Sequence, residues 1–165
     1  MWFLAMADPV RLLLVCLGNI CRSPTAEGVI RARVQAAGLA ERVELDSAGT
    51  GSWHIGRCPD HRAIATAADH GVDISGLRGR QLSLADFDRF DWLLCADRGN
   101  LLDVRALAPD AAARAKVALL LDWAGVEPDG EVPDPYTGGP EQFEQVWTLL
   151  ERAAEGVVRR LRSRA

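Results

Sequence analysis

Short apolar runs alternate with amphipathic segments along this chain, and that alternation restricts its fold more than any other feature of the sequence. The runs at residues 11–16, 43–47, 90–96 and 116–121 predict strands, and the segments at 24–37, 59–70 and 99–107 predict helices between them. A strand with one wet face alternates apolar and polar side chains. Leu12-Leu13-Leu14-Val15 does not, so it is expected to be covered on both sides. Strands of this kind separated by helices indicate an α/β fold, a parallel sheet between two helical layers.

A last helix is the clearest of all, with Phe143, Val146, Trp147, Leu150, Ala154, Val157 and Leu161 recurring on one stripe. Glu141 and Glu144 near its start and Arg159, Arg160, Arg162 and Arg164 near its end suit the helix dipole, and the arginines read as a solvated face. Before it, residues 124–140 are rich in Gly, Pro and acidic side chains, a composition suited to a loop bordering a site.

Length and charge narrow the function. The 165 residues fit one domain spanning 1–165, and a net charge of −4 is the wrong sign for a nucleic-acid binder. No run approaches the roughly 18 consecutive apolar residues of a membrane span. The opening Met1-Trp2-Phe3-Leu4-Ala5-Met6 lacks the basic start of a signal peptide and is broken by Asp8, Pro9 and Arg11. Residues 1–9 therefore read as a ragged extension, Met6 serving equally well as a start. The four cysteines, Cys16, Cys21, Cys58 and Cys95, are too dispersed for a disulfide framework, which favours a reducing cytoplasm.

Chemistry concentrates after the first strand, in Cys16-Leu17-Gly18-Asn19-Ile20-Cys21-Arg22-Ser23. Gly18 and Asn19 tolerate the backbone conformations of a tightly curled loop, and Ser23 with Pro24 reads as a helix N-cap and first turn. The N–H groups of Leu17 to Ser23 can converge on a tetrahedral anion with a helix dipole behind them, and Arg22 can grip two of its oxygens. The same surroundings hold Cys16 as a thiolate, which makes the loop both anion site and nucleophile. Phosphoryl transfer to Cys16 then lacks only a proton donor approaching from the opposite side. Asp134, stiffened by Pro133 and Pro135 and followed by the aromatic Tyr136, fits that role.

Together these residues resemble the low-molecular-weight protein tyrosine phosphatase family over nearly the whole length. The likeness is carried by Val15-Cys16-Leu17-Gly18-Asn19-Ile20-Cys21-Arg22-Ser23-Pro24, Asp46-Ser47-Ala48-Gly49-Thr50 with Trp53, Gly71, Arg80-Gln81-Leu82, Phe90-Asp91 leading to Cys95-Ala96-Asp97, and Asp134-Pro135-Tyr136. It implies a flavodoxin-like four-stranded sheet of order 2-1-3-4, Cys16 as nucleophile, Arg22 as phosphate ligand and Asp134 as general acid. It further implies that Ser23 stabilises the thiolate, that Asn19 and Ser47 hold the loop, and that Trp53 and Tyr136 line the cleft. The chain departs from the family where a bracing histidine is usual, having Leu77, and where a second aromatic follows the Asp-Pro-Tyr, having Thr137.

The resemblance implies a tyrosine-phosphorylated protein as partner, among them the tyrosine autokinases of polysaccharide assembly, and a monomer or weak dimer. Cys16 and Cys21 lack a second ligand pair, and His54, His61 and His70 show no ligand spacing to them, so neither metal nor cofactor is expected. Cys21, on the same loop, is expected to capture an oxidised Cys16 as a disulfide, whereas Cys58 and Cys95 read as small core residues. Two rivals share the scaffold. Arsenate reduction calls for closely spaced thiols that Cys95 lacks, and arginine phosphatases tend to carry Thr where Ile20 stands. A non-enzymatic phosphotyrosine-binding module would need neither Cys16 nor Asp134.

Overall fold

The structure is a computed structural model and describes residues 8–164. Of the extension expected at residues 1–9, residues 1–7 thus lie outside the described residues. Four strands, β1 (Val10–Cys16), β2 (Val43–Gly49), β3 (Trp92–Cys95) and β4 (Val117–Leu119), form one sheet of order β2-β1-β3-β4. Every pairing is parallel. This is the flavodoxin-like order expected above.

The sheet is parallel because a helix returns the chain between successive strands, and its central strands β1 and β3 send apolar side chains into a core on each face. Val10, Leu12, Leu14 and Cys16 of β1 enter one core with α1 (Arg22–Ala36), α2 (His61–Asp69) and α7 (Pro140–Ser163). Leu13 and Val15 enter the other with Phe87 of α3 (Ala85–Arg89), Leu101 and Val104 of α4 (Arg98–Leu107) and Ala113 of α5 (Ala111–Arg114). Leu12, Leu13, Leu14 and Val15 are each at most 1% exposed, as their unbroken run requires. The chain leaves β1 for β2 on one side and returns on the other for β3. A crevice therefore opens beyond the carboxyl ends of β1 and β3, the position where such sheets bind ligands.

Several boundaries differ from expectation. The run at 116–121 is a strand only to Leu119; Leu120–Trp123 turns into a short helix, α6, whose Leu120 and Leu121 stay buried. Burial satisfies a continuous apolar run in either conformation, so its periodicity could not separate the two. On α7 all seven stripe residues are buried. Arg160 corrects the reading of its arginine run as merely solvated. Its guanidinium lies 4.0 Å above the Trp123 ring, a cation–π contact, and donates to the Trp123 carbonyl at 2.9 Å, tying α7 to α6. Cys58, read as a core residue, is exposed, because the loop before α2 runs over the surface.

Candidate active site

The loop after β1 curls because its carbonyls are drawn outward. Thr50 N–H donates to the Cys16 carbonyl at 3.0 Å and Gly51 N–H to the Leu17 carbonyl at 2.9 Å, both from the segment following β2. That strand extends to Gly49, two residues beyond the expected end, and a Cβ there would stand 2.8 Å from the Leu17 oxygen. With carbonyls engaged behind it and Asn19 in the left-handed region at φ 57°, the loop is left with its N–H groups for a ligand.

The helix start is also shifted. α1 begins at Arg22, not Pro24, so Ser23 lies inside the first turn and does not serve as the N-cap. Its hydroxyl is taken elsewhere: Ser23 Oγ accepts from Asn19 Nδ2 at 2.7 Å and lies 3.0 Å from Cys16 Sγ. Pro24, still in the first turn, forfeits no intrahelical bond.

A chain of hydrogen bonds fixes which way this cluster points. The Arg80 backbone N–H, which can only donate, meets Asn19 Oδ1 at 3.0 Å and orients the amide. Asn19 Nδ2 then donates to Ser23 Oγ and, at 3.0 Å, to Ser47 Oγ. The Ser47 hydroxyl donates in turn to the buried Glu27 carboxylate, 2.8 Å away, which also pairs with Arg31. Both hydroxyls are accepting from Asn19, so Ser23 has its proton free for Cys16 Sγ. The Asn19 N–H supplies a second donor to the same sulfur at 3.3 Å. Two donors aimed at Sγ suit a thiolate. Leu77 lies against the core, and the brace on Asn19 is supplied here by the Arg80 N–H and by Ser47 with Glu27.

Arg22 is nearly fully buried, 4% exposed, and held from below: Nη1 donates to Asp97 Oδ2 at 2.6 Å and to the Val132 carbonyl at 3.0 Å. Its Nη2 lies 3.8 Å from Asp134 Oδ2. Asp97 lies two residues beyond β3 and caps α4 through Asn100 N–H, so one carboxylate ties the guanidinium to the sheet edge. The loop carrying Asp134 is fixed at both ends, by Val132 N–H on the Ala96 carbonyl at 2.8 Å and by Arg62, whose guanidinium donates to the Tyr136 and Gly138 carbonyls at 2.9 and 3.2 Å.

These elements enclose a pocket of about 180 Å³ lined by Cys16, Leu17, Gly18, Ile20, Cys21, Arg22, Trp53, His54, Asp134 and Tyr136. The structure thus brings Cys16, Arg22 and Asp134 to one cavity, with Trp53 and Tyr136, 67% and 51% exposed, at its rim. Asn19, Ser23 and Ser47 lie behind it, in the hydrogen-bond chain. Cys21 faces the cavity, and burial above all, then the nearby Asp60, Cys16 and Asp134, pushes its thiol up to about 12. A larger cleft of about 690 Å³, with Arg11, Asp91 and Trp123 in its walls, sits at the opposite, amino-terminal edge of the strands and holds no thiol. Sequence reasoning missed Glu27, Arg62, Arg80 and Asp97 as parts of the site. Of these, Asp97 alone carried a local signal, an acidic residue at the end of a buried strand on the ligand-binding edge.

Known proteins resemble this chain in sequence and in fold. A family model described as "Low molecular weight phosphotyrosine protein phosphatase" matches residues 11–165. A low molecular weight protein-tyrosine-phosphatase of Streptomyces coelicolor is 46% identical over 154 residues, 92% of this chain and 93% of its own. A crystal structure of a protein tyrosine phosphatase from Entamoeba histolytica superposes with a TM-score of 0.87 at 35% identity, covering 93% of this chain and 97% of the other. Wzb of Vibrio vulnificus, solved in complex with benzylphosphonate, gives a TM-score of 0.79 at 30% identity over 92% of this chain and 98% of its own. The chain belongs to the low molecular weight phosphotyrosine protein phosphatases, a family of hydrolases.

Proposed function

We propose that the protein hydrolyses phosphotyrosine in two steps through a cysteinyl-phosphate on Cys16. The observation that carries this reading is Cys16 Sγ at the floor of a pocket, with donors from Ser23 and Asn19 behind it and Asp134 across it. The thiolate attacks phosphorus in line while loop N–H groups and Arg22 take the three equatorial oxygens. Asp97 and the Val132 carbonyl occupy Nη1, which leaves the rest of the guanidinium to the phosphate. Asp134 gives its proton to the departing phenolate, then as carboxylate takes one from the water that breaks the thiophosphate.

The cleft supports an aryl substrate. Its exposed rim residues Trp53 and Tyr136 are placed to flank a ring whose phosphate sits on the loop, and Wzb binds a compound of that kind, a benzyl ring bearing a tetrahedral anion. The partner on this reading is a tyrosine-phosphorylated cytoplasmic protein, with a tyrosine autokinase of polysaccharide assembly as the proposed example, and the enzyme acts as a monomer or weak dimer. Side-by-side turnover of phosphotyrosine, phosphoserine, phosphoarginine and arsenate tests it. Phosphotyrosine is expected to lead in kcat/KM by at least about tenfold, since the others lack a ring for Trp53 and Tyr136. Comparable turnover of phosphoarginine or arsenate would overturn it.

Cys21 is proposed as a guard for the nucleophile. As a buried thiol it does not compete with Cys16 for phosphate, yet once Cys16 is oxidised to the sulfenic acid its thiol can condense with it, releasing water and forming a disulfide. After peroxide treatment, mass spectrometry is expected to find Cys16 crosslinked to Cys21, and dithiothreitol to restore activity. A Cys21→Ser variant would instead pass to irreversible oxidation. Absence of the crosslink in the wild-type protein sinks this role.

A further inference from the structure

A second cleft adjoins the catalytic pocket. Ile20 and His54 line both, and Arg57, Asp60, His61 and Arg62 are among the residues that enclose a cavity of about 500 Å³ on the far side of that shared wall. Its backbone is tied to the catalytic loop, Asp60 N–H donating to the Ile20 carbonyl at 2.8 Å. It is also tied to the segment before Arg80, with Gly56 N–H on the Gly79 carbonyl and Gly79 N–H on the Arg57 carbonyl, each at 2.8 Å. The two strands of chain run so close that a Cβ on Gly79 would lie 2.3 Å from the His54 oxygen. The wall is therefore preformed.

Its charges do not balance. The one carboxylate in the lining, Asp60, is fully used: it caps α2 through Arg62 N–H and takes Arg62 Nε and Nη2 at 3.0 and 2.9 Å. These bonds with Arg62 hold its carboxyl below the usual range. Arg62 in turn is committed to Asp60 and to the Tyr136 and Gly138 carbonyls. The Arg57 guanidinium and the rings of His54 and His61, by contrast, have no hydrogen-bond or ion-pair partner among the described residues. A permanently charged side chain with two imidazoles beside it is thus left facing the cleft, and the complementary ligand is an anion.

We propose that this cleft is a substrate subsite, taking the carboxylate of an Asp or Glu that neighbours phosphotyrosine in the protein substrate, with Arg57 as its principal partner. The inference rests on the phosphatase reading above and adds a sequence preference to it. Because the two cavities share a wall, and an extended peptide advances about 3.3 Å per residue, the acidic residue stands one to three positions from the phosphotyrosine.

The test compares phosphotyrosine peptides that carry Glu or Gln at those positions, with p-nitrophenyl phosphate as a substrate too small to reach the cleft. The wild-type enzyme is expected to favour the Glu peptides in kcat/KM by about two- to fivefold, the range for a solvent-exposed ion pair, and to lose that margin at high salt. Arg57→Ala should bring the ratio to one, and Arg57→Glu below one, with p-nitrophenyl phosphate turnover unaltered in both. If p-nitrophenyl phosphate is hydrolysed but Glu and Gln peptides perform alike, or if the preference survives Arg57→Glu, the subsite is wrong and the phosphatase stands. If p-nitrophenyl phosphate is not hydrolysed at all, both fall.

Discussion

Cys16→Ser is expected to lower turnover of phenyl phosphate by about 10⁴-fold or more while leaving phosphotyrosine peptides bound. The reason lies in what surrounds the sulfur. Its hydrogen-bond partners are the backbone N–H of Asn19, which can only donate, and Ser23 Oγ, which the bond chain from Arg80 through the Asn19 amide leaves as a donor. A thiol can lose its proton to solvent and be held as the anion by such donors. A serine hydroxyl, far less acidic, needs a base in contact with it, and neither partner of Sγ is one. The anion cradle is otherwise untouched, since Arg22 and the loop N–H groups do not depend on the sulfur. Peptide affinity by calorimetry and turnover by phenol release would separate the two effects. Residual turnover above about 1% of wild type would remove Cys16 from the nucleophile's role.

Asp134→Asn is expected to lower turnover of phenyl phosphate by about 10²- to 10⁴-fold, yet to affect substrates with acidic leaving groups far less in the first step. Asparagine is the informative replacement because Asp134 does two things. One oxygen accepts from Tyr136 N–H at 3.1 Å and shapes the turn, and the other faces Arg22 from 3.8 Å across the pocket. The amide keeps an acceptor for the turn but has no proton to give. If Asp134 only capped the turn, the asparagine variant would retain full turnover. Stopped-flow measurement with 2,4-dinitrophenyl phosphate, whose phenolate leaves without assistance, should show phenol released in a burst followed by slow release of phosphate. The same carboxylate is needed to activate water in the second step.

Much of this architecture is readable in the residues themselves. An unbroken Leu12 to Val15 run can be satisfied only by cover on both faces, so the parallel sheet follows from local composition. The catalytic loop is contiguous, and Asp134 stands between prolines, so each announces itself within a few residues. What escaped were partners that meet only through the fold. Glu27 looks like any polar residue on a helix until β2 brings Ser47 to it. Arg62 looks like a surface cation until the chain after Val132 returns and places its carbonyls within reach. Ser23 was misplaced for a related reason. Local preference makes a serine before proline an N-cap, but its hydroxyl is claimed by Asn19 and Cys16, and the helix begins two residues earlier than expected, at Arg22, without a side-chain cap.

The chain of bonds that orients Asn19 draws on three distant stretches: the catalytic loop, Ser47 of β2 and the Arg80 N–H. A growing polypeptide that carries Cys16 but has not yet extended past residue 80 cannot assemble it. Until then the thiol is an ordinary one in a flexible strand end, with nothing to set its neighbours as donors. On the proposed mechanism, reactivity toward phosphate is therefore acquired together with the folded state. An unfinished or unfolded chain carries no more hazard at Cys16 than at any other cysteine.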